Sequence, residues 1–215
     1  IYFGSADQRM YALFPDGRKR WDYFTNGNIQ ASPVLGADGA VYFAALDTSF
    51  YALEPDNGAL RWRVALNTNS ISTAAVRADG VIIFGADDGI VRALNPADGS
   101  VRWRFDTRKA VPDDTIDSSP LLTADGSVYF SSLDGRLYKL RGNGLGLSEV
   151  SNWPTFRGDV RRSGAGDGDV ARHHARDEAG DDHQPELRRE DPEEIGKRIA
   201  CQCYSQDATT SQPVR

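Results

Sequence analysis

The sequence predicts an all-β protein, a β-propeller of four-stranded antiparallel blades. Three observations carry that expectation. Trp21, Trp62 and Trp103 stand 41 residues apart. The Ala-Leu pairs at 12–13, 52–53 and 93–94 follow the same period to within one residue, and the Ala-Asp-Gly triplets at 37–39, 78–80 and 124–126 are 41 and then 46 residues apart. Between these landmarks, short runs rich in Val, Tyr, Phe, Ile and Trp alternate with turn residues, and no capped 3.6-residue apolar pattern appears before residue 150. Four short strands repeated every 40 residues or so is the propeller pattern.

The elements follow in order. Residues 1–5, IYFGS, read as the second strand of a blade, so the first blade lacks its inner strand. The second unit shows all four strands, at 31–35, 40–46, 50–54 and 59–66. Its turns are Ala-Asp-Gly, Asp-Thr-Ser and Pro-Asp-Asn-Gly. Gly and Asn tolerate positive φ and Pro presets the first turn position, so these are hairpin connections. A third unit spans about 72–106. A fourth begins at Ser118 and runs to about Leu140; it contains SVYFSSLDGRLYKL from Ser127 and loses the Trp landmark. The total is about three and a half blades, a partial ring. An open arc leaves apolar faces and strand edges in water. The chain therefore reads as the later half of a larger propeller, or as an arc that two copies complete.

One interval departs from the period. Five extra residues fall within DTRKAVPDDTIDSSP, residues 106–120, on the connection from an outer strand to the next inner strand. Insertions in repeat arrays map to loops, often on the binding face. Lys109, Asp113, Asp114 and Asp117 are the candidate partner contacts there, with Asn28 and Asn69 as neighbours on the same rim.

Composition narrows the function classes. The chain has 215 residues and a formal net charge of -6, with no basic stripe, which argues against a nucleic-acid surface. No run of 18 apolar residues is present to span a membrane, and no signal peptide is visible in this chain. Residues 165–215 are dense in charge and nearly free of aromatics, so a disordered tail is expected after a propeller portion of 1–164. The tail holds His173, His174, His183, Cys201 and Cys203, whose spacings match no compact zinc site. The Asp-rich stretches 85–89 and 132–135 sit at hairpin positions and lack the ligand alternation of a calcium loop. No Ser-His-Asp arrangement, phosphate-cradling loop or dinucleotide fingerprint appears.

The pattern Ala-Leu-x-Pro-x-x-Gly-x-x-x-Trp, at 52–62 and 93–103 and one residue shorter at 12–21, together with SPVL…ADGAVYF, resembles the repeat of the PQQ-like (pyrroloquinoline-quinone) β-propellers. That family includes quinoprotein dehydrogenases and the lipoprotein scaffold of bacterial outer-membrane assembly. The resemblance covers residues 1–164. It implies that Trp21, Trp62 and Trp103 are inter-blade staples. The segment 152–164, NWPTFRGDVRRSG, is similar to a terminal motif of such proteins. It implies that Trp153 and Phe156 pack on the last blade, that the segment supplies the outer strand there, and that Arg157 pairs with Asp159.

For function, the resemblance implies a non-catalytic interaction scaffold of the bacterial envelope, periplasmic or extracytoplasmic, with a protein partner. A fragment of a PQQ-dependent quinoprotein oxidoreductase and a small-ligand sensor are the alternatives. The enzyme reading requires PQQ, calcium, adjacent cysteines and a Glu-Asn-Asp set. Cys201 and Cys203 are separated by Gln202, and the propeller portion holds only Glu54 and Glu149. No catalytic, cofactor-binding or metal residue is therefore assigned.

Overall fold

The computed structural model describes residues 1–108, 114–148, 151 and 153–156. The tail 165–215, and Lys109, Asp113, Arg157 and Asp159, lie outside the described residues. The described residues form four antiparallel sheets and no helix. Sheet 1 holds β1 (Tyr2–Gly4), β2 (Arg9–Leu13) and β3 (Lys19–Phe24). Sheet 2 holds β4 (Val34–Leu35), β5 (Val41–Ala45), β6 (Ser49–Leu53) and β7 (Leu60–Ala65). Sheet 3 holds β8 (Ala75–Val76), β9 (Ile82–Phe84), β10 (Ile90–Leu94) and β11 (Val101–Asp106). Sheet 4 holds β12 (Leu121–Leu122), β13 (Val128–Ser131) and β14 (Leu137–Leu140). Strands pair in sequence order within each sheet, and the ring is not closed among the described residues. Among the described residues the first sheet shows no inner strand and the fourth no outer one.

Burial follows position in the arc. β5 and β6 are buried at every residue, and β9 likewise, because sheets 2 and 3 are covered on both faces. In β2 only alternate residues are buried, and in β14 exposed and half-buried residues alternate, because sheets 1 and 4 pack on one side. Three apolar clusters fill the gaps. Met10, Ala12, Trp21 and Ile29 meet Val41, Phe43, Tyr51 and Leu53 between sheets 1 and 2. Tyr42, Phe50 and Trp62 meet Ile82, Phe84 and Leu94 between sheets 2 and 3. Ile83, Val91 and Ala93 meet Ile116, Leu122, Val128 and Phe130 between sheets 3 and 4.

Two local devices recur at the repeat period. The first is the Asx turn of each Ala-Asp-Gly triplet. The Oδ1 of Asp38, Asp79 and Asp125 accepts from the N–H two residues on, that of Ala40, Val81 and Ser127, at 3.2, 3.3 and 3.0 Å. Gly39, Gly80 and Gly126 then take φ of 80°, 82° and 78°, a conformation only glycine adopts without strain. The second is a bulge at each Ala-Leu pair. Ala12, Ala52 and Ala93 face Trp21, Trp62 and Trp103, while Leu13, Leu53 and Leu94 face Lys19, Leu60 and Val101. The extra residue on the outer strand is Arg20, Arg61 or Arg102. Each reaches a carboxylate at the turn end of the sheets: Arg20 to Asp56 at 2.6 Å, Arg61 to Asp38 and Glu54, and Arg102 to Asp79 at 3.4 Å.

The terminal segment differs from expectation. Its described part does not run as an outer strand of sheet 4. Gly146 O accepts from Ala78 N–H at 2.9 Å, and Ser148 N–H donates to Val76 O at 2.9 Å. Pro154 O then accepts from Val76 N–H at 2.7 Å and Trp153 O from Leu35 N–H at 2.8 Å. Leu35 and Val76 are equivalent residues of the inner strands β4 and β8. Both present backbone groups away from their own sheet, and such groups demand partners. These described residues tie the two inner strands together.

Candidate interaction surface

The joint between consecutive sheets is built from the repeat's own landmark residues. Trp21 Nε1 donates to Pro55 O of the next sheet at 2.9 Å, and Trp62 Nε1 donates to Pro96 O at 2.8 Å. A Cβ on Gly58 would lie 2.7 Å from the Trp21 ring, and one on Gly99 would lie 2.7 Å from the Trp62 ring. The Pro and Gly of one unit thus form the seat for the indole of the unit before it. Trp21 and Trp62 are buried, and Trp103 is half-buried against the cluster between sheets 3 and 4.

At one face of the arc, the turns β1–β2, β5–β6, β9–β10 and β13–β14 each carry an aspartate in register. Asp7, Asp47 and Asp134 accept from the hydroxyls of Tyr11, Tyr51 and Tyr138, four residues on; the first and last bonds are 2.6 Å. In sheet 3 the partner is Arg92, whose Nη1 lies 2.9 Å from Asp88 Oδ1. The carboxylate raises the ionisation of Tyr11 and Tyr138 above the usual phenol range. Burial, then Asp47, does the same to Tyr51. The connections between sheets cross this face and are held to it by backbone bonds. Leu46 N–H donates to Asn28 O at 2.8 Å, Asp87 N–H to Asn69 O at 3.0 Å and Leu133 N–H to Thr115 O at 3.0 Å.

The described end of the expanded connection between sheets 3 and 4, from Asp114, reaches the same face. Asp114 is buried. Its carboxylate accepts from Ser132 Oγ and, at 3.0 Å, from Asp134 N–H, so it holds the last turn of the face in place. Asp117 is exposed and acts on Asp87. Partial burial first, and then the charges of Asp117 and Asp88, raise the Asp87 carboxyl above the usual carboxylate range. Asp87 and Asp117 make this part of the rim acidic, while the Asp88 carboxylate beside them is paired with Arg92.

At the inner side of sheet 1 lies a groove of about 600 Å3. Its wall on one side is β1; on the other are residues 29–33, Leu35 and Trp153. Ser151 Oγ donates to Leu35 O at 2.5 Å, which holds the terminal segment at the groove's end. Trp153 therefore lies beside β1 and the inner strand β4 of sheet 2, and Phe156 is half-buried.

Residues 1–161 match the PQQ-type repeat model whose description is "Outer membrane protein assembly factor BamB". The chain belongs to the BamB family. Among solved structures, BamB from Moraxella catarrhalis matches with a TM-score of 0.54 and 21% identity, over 71% of this chain and 44% of that one. The likeness shows the fold, and the chain spans less than half the length of that BamB. The computationally designed Ika4 protein aligns with a TM-score of 0.48 and 15% identity, over 66% of this chain and 84% of that one. No curated protein matches the chain.

Other members of the wider PQQ-like group hold a quinone and calcium, and the groove's donor set does not fit that pair. Its lining is apolar or neutral and includes no carboxylate to hold a divalent ion. No group of three or more His, Cys, Asp or Glu side chains converges among the described residues. Two sets of recurring residues escape a reading by landmarks, one at each end of the sheets. One is the bulge arginines Arg20, Arg61 and Arg102, signalled by Arg-Trp in each unit. The other is the turn aspartates, signalled by Asp-x-x-x-Tyr/Arg-Ala/Lys-Leu at 7–13, 47–53, 88–94 and 134–140.

Proposed function

We propose that this chain is a non-catalytic β-propeller scaffold that binds protein partners in the bacterial envelope, through the turn face that carries Asp87, Asp88 and Asp117. The observation that carries the reading is the five-residue expansion of the connection between sheets 3 and 4, the interval that breaks the 41-residue period. The described residues that follow it, from Asp114 on, are tied to a face whose backbone is pinned sheet by sheet, and Asp117 is exposed there. Lys109 and Asp113 belong to the same connection and are proposed as further contacts. Family membership supports an outer-membrane assembly role and an envelope location. The acidic rim favours a partner with a basic patch, because complementary charge speeds encounter and fixes register.

The test is retention of β-barrel assembly components from an envelope extract on immobilised chain. The unchanged chain retains them. The pair Asp87→Lys and Asp117→Lys, made together, releases them while the far-UV spectrum is preserved. Retention of the same components by this variant removes the rim from the reading. Retention of none by the unchanged chain removes the scaffold reading itself.

A further inference from the structure

We propose that Asn26 and Gly27 form a self-modifying site: the Gly27 nitrogen cyclises onto the Asn26 side chain, and hydrolysis leaves aspartate or isoaspartate in the connection between sheets 1 and 2. The inference goes beyond the rim reading and is independent of it.

The chemistry needs an asparagine with a free side chain, followed by an amide that is unhindered and unbonded. The described residues hold Asn-Gly pairs at 26–27, 57–58 and 143–144, and the other described asparagines precede a residue with a side chain. Glycine has no Cβ to screen its nitrogen. The second and third pairs are restrained. Gly58 N–H donates to Glu54 O at 3.0 Å, and Gly144 N–H donates to Asp125 O at 2.8 Å. Asn57 Oδ1 accepts from Ala59 N–H at 2.9 Å, and Asn143 Oδ1 accepts from Leu145 N–H at 3.3 Å. Neither restraint is present at the first pair among the described residues. Asn26 is exposed, its side chain makes no hydrogen bond there, and Gly27 N–H has no acceptor there. Glycine is also required at 27, because a Cβ would stand 2.2 Å from Asp47 N and 2.4 Å from Leu46 C. The packing that demands glycine keeps the reactive pair in place.

Gly27 N forms a bond to Asn26 Cγ as the Cγ–Nδ2 bond breaks. The Gly27 amide proton leaves with Nδ2 as ammonia, and a cyclic imide remains. Water then opens the ring. Attack at the former side-chain carbonyl gives aspartate. Attack at the backbone carbonyl of residue 26 gives isoaspartate, whose main chain runs through Cγ and is one atom longer. The net reaction consumes one water and releases one ammonia. The surroundings accommodate neither product. The Asp47 side chain beside the site is only 4% exposed, and Arg63 Nη2 lies 3.5 Å from its Oδ2. That oxygen accepts from Tyr51 and, at 3.4 Å, from Asn26 N–H. Asp47 Oδ1 has no donor among the described residues. A second carboxylate here competes with Asp47 for Arg63. The connection is pinned on both sides, by Thr25 N–H to Gln8 O and by Leu46 N–H to Asn28 O, each at 2.8 Å. One more main-chain atom between those pins strains both bonds.

The experiment incubates the folded full chain at mildly alkaline pH and maps its peptides by mass, with isoaspartate-specific methylation marking the longer product. Asn26 is expected to convert about tenfold faster than Asn57 and Asn143, because two hydrogen bonds must open before either of those can cyclise. In urea the three pairs convert at one rate. In the aged chain the Leu46 amide, read by NMR, exchanges about tenfold faster than in Asn26→Gln aged beside it, the loss of roughly one hydrogen bond. Glutamine cyclises far more slowly, and this variant keeps the near-UV spectrum. Four results overturn the proposal: no isoaspartate at 26, Asn57 or Asn143 converting as fast in the folded chain, the same ranking in urea, or converted chain whose Leu46 amide exchanges no faster.

Discussion

A methyl group added at Gly99 would stand 2.7 Å from the Trp62 ring, in a residue whose φ is 72°. Both facts oppose substitution, one through overlap and one through backbone strain. Gly99→Ala is expected to cost about 1–3 kcal/mol, measured by urea unfolding. Trp62→Ala is expected to cost about 3–5 kcal/mol, as for a buried tryptophan. Loss of partner binding at unchanged stability in Trp62→Ala would overturn its role as a staple between sheets. Two aspartates at the turns titrate in opposite directions. The Asp125 carboxylate, held by Thr123 Oγ1 and by the Ser127 N–H and Oγ, is lowered to about 2. Its folded-state value lies below the unfolded one, so its contribution is present above the ordinary range and is lost as pH falls towards 2. Asp87 is raised, so its contribution is present below the ordinary carboxylate range and is lost as pH rises through the raised value. Asp87→Asn should therefore raise the melting temperature at pH 7 and raise it less at pH 3. An equal gain at both would show that the carboxylate's charge is not the cause.

At the scale of elements, the hairpins were legible in the sequence because their signals are local. Asp-Gly at a fixed offset, Pro at the turn and alternating aromatics each act within a few residues. The Trp period gave the sheet boundaries for the same reason. The path of residues 146–154 was not legible. Its partners, Leu35 and Val76, lie far back in the chain, and what binds it is backbone N–H and C=O, which every residue carries. The similarity of 152–164 to a terminal motif of PQQ-like propellers also suggests an outer strand. Nor did the sequence show that Asp114 points inward, since Asp113, Asp114 and Asp117 share one composition and differ only in what the 132–135 turn demands. The cross-tie predicts a difference between two shortened chains. One ending at residue 164 keeps the bonds from Trp153 and Pro154 to Leu35 and Val76; one ending at residue 145 leaves those edges to water. The second should melt several degrees lower. Equal melting would mean that the tie contributes nothing to stability.

At the scale of the molecule, the two ends of the arc are chemically unlike. The free face of sheet 1 carries Phe3 stacked on Tyr11 at 5.3 Å, beside Leu13. The equivalent residues in sheet 2, Phe43, Tyr51 and Leu53, are buried under the preceding sheet. Sheet 4 instead places Lys139 where Ala52 and Ala93 stand, with its ammonium 5.3 Å from the Tyr129 ring, and Ser131 where Ala44 and Gly85 stand. A lysine there obstructs the close approach that alanine permits and keeps the face wet. Repeat arrays gain stability from contacts with neighbours, so a sheet covered on both faces should open less readily than one covered on one face. Native-state hydrogen exchange is therefore expected to show the slowest amides in β5, β6, β9 and β10 and faster exchange in β2 and β14. Light scattering on the same sample fixes the state to which the pattern belongs. A monomer with this gradient agrees with an arc whose two ends are solvated. A dimer with β2 as protected as β6 would show that another copy covers the aromatic face of sheet 1, and the arc would then be half of a larger ring.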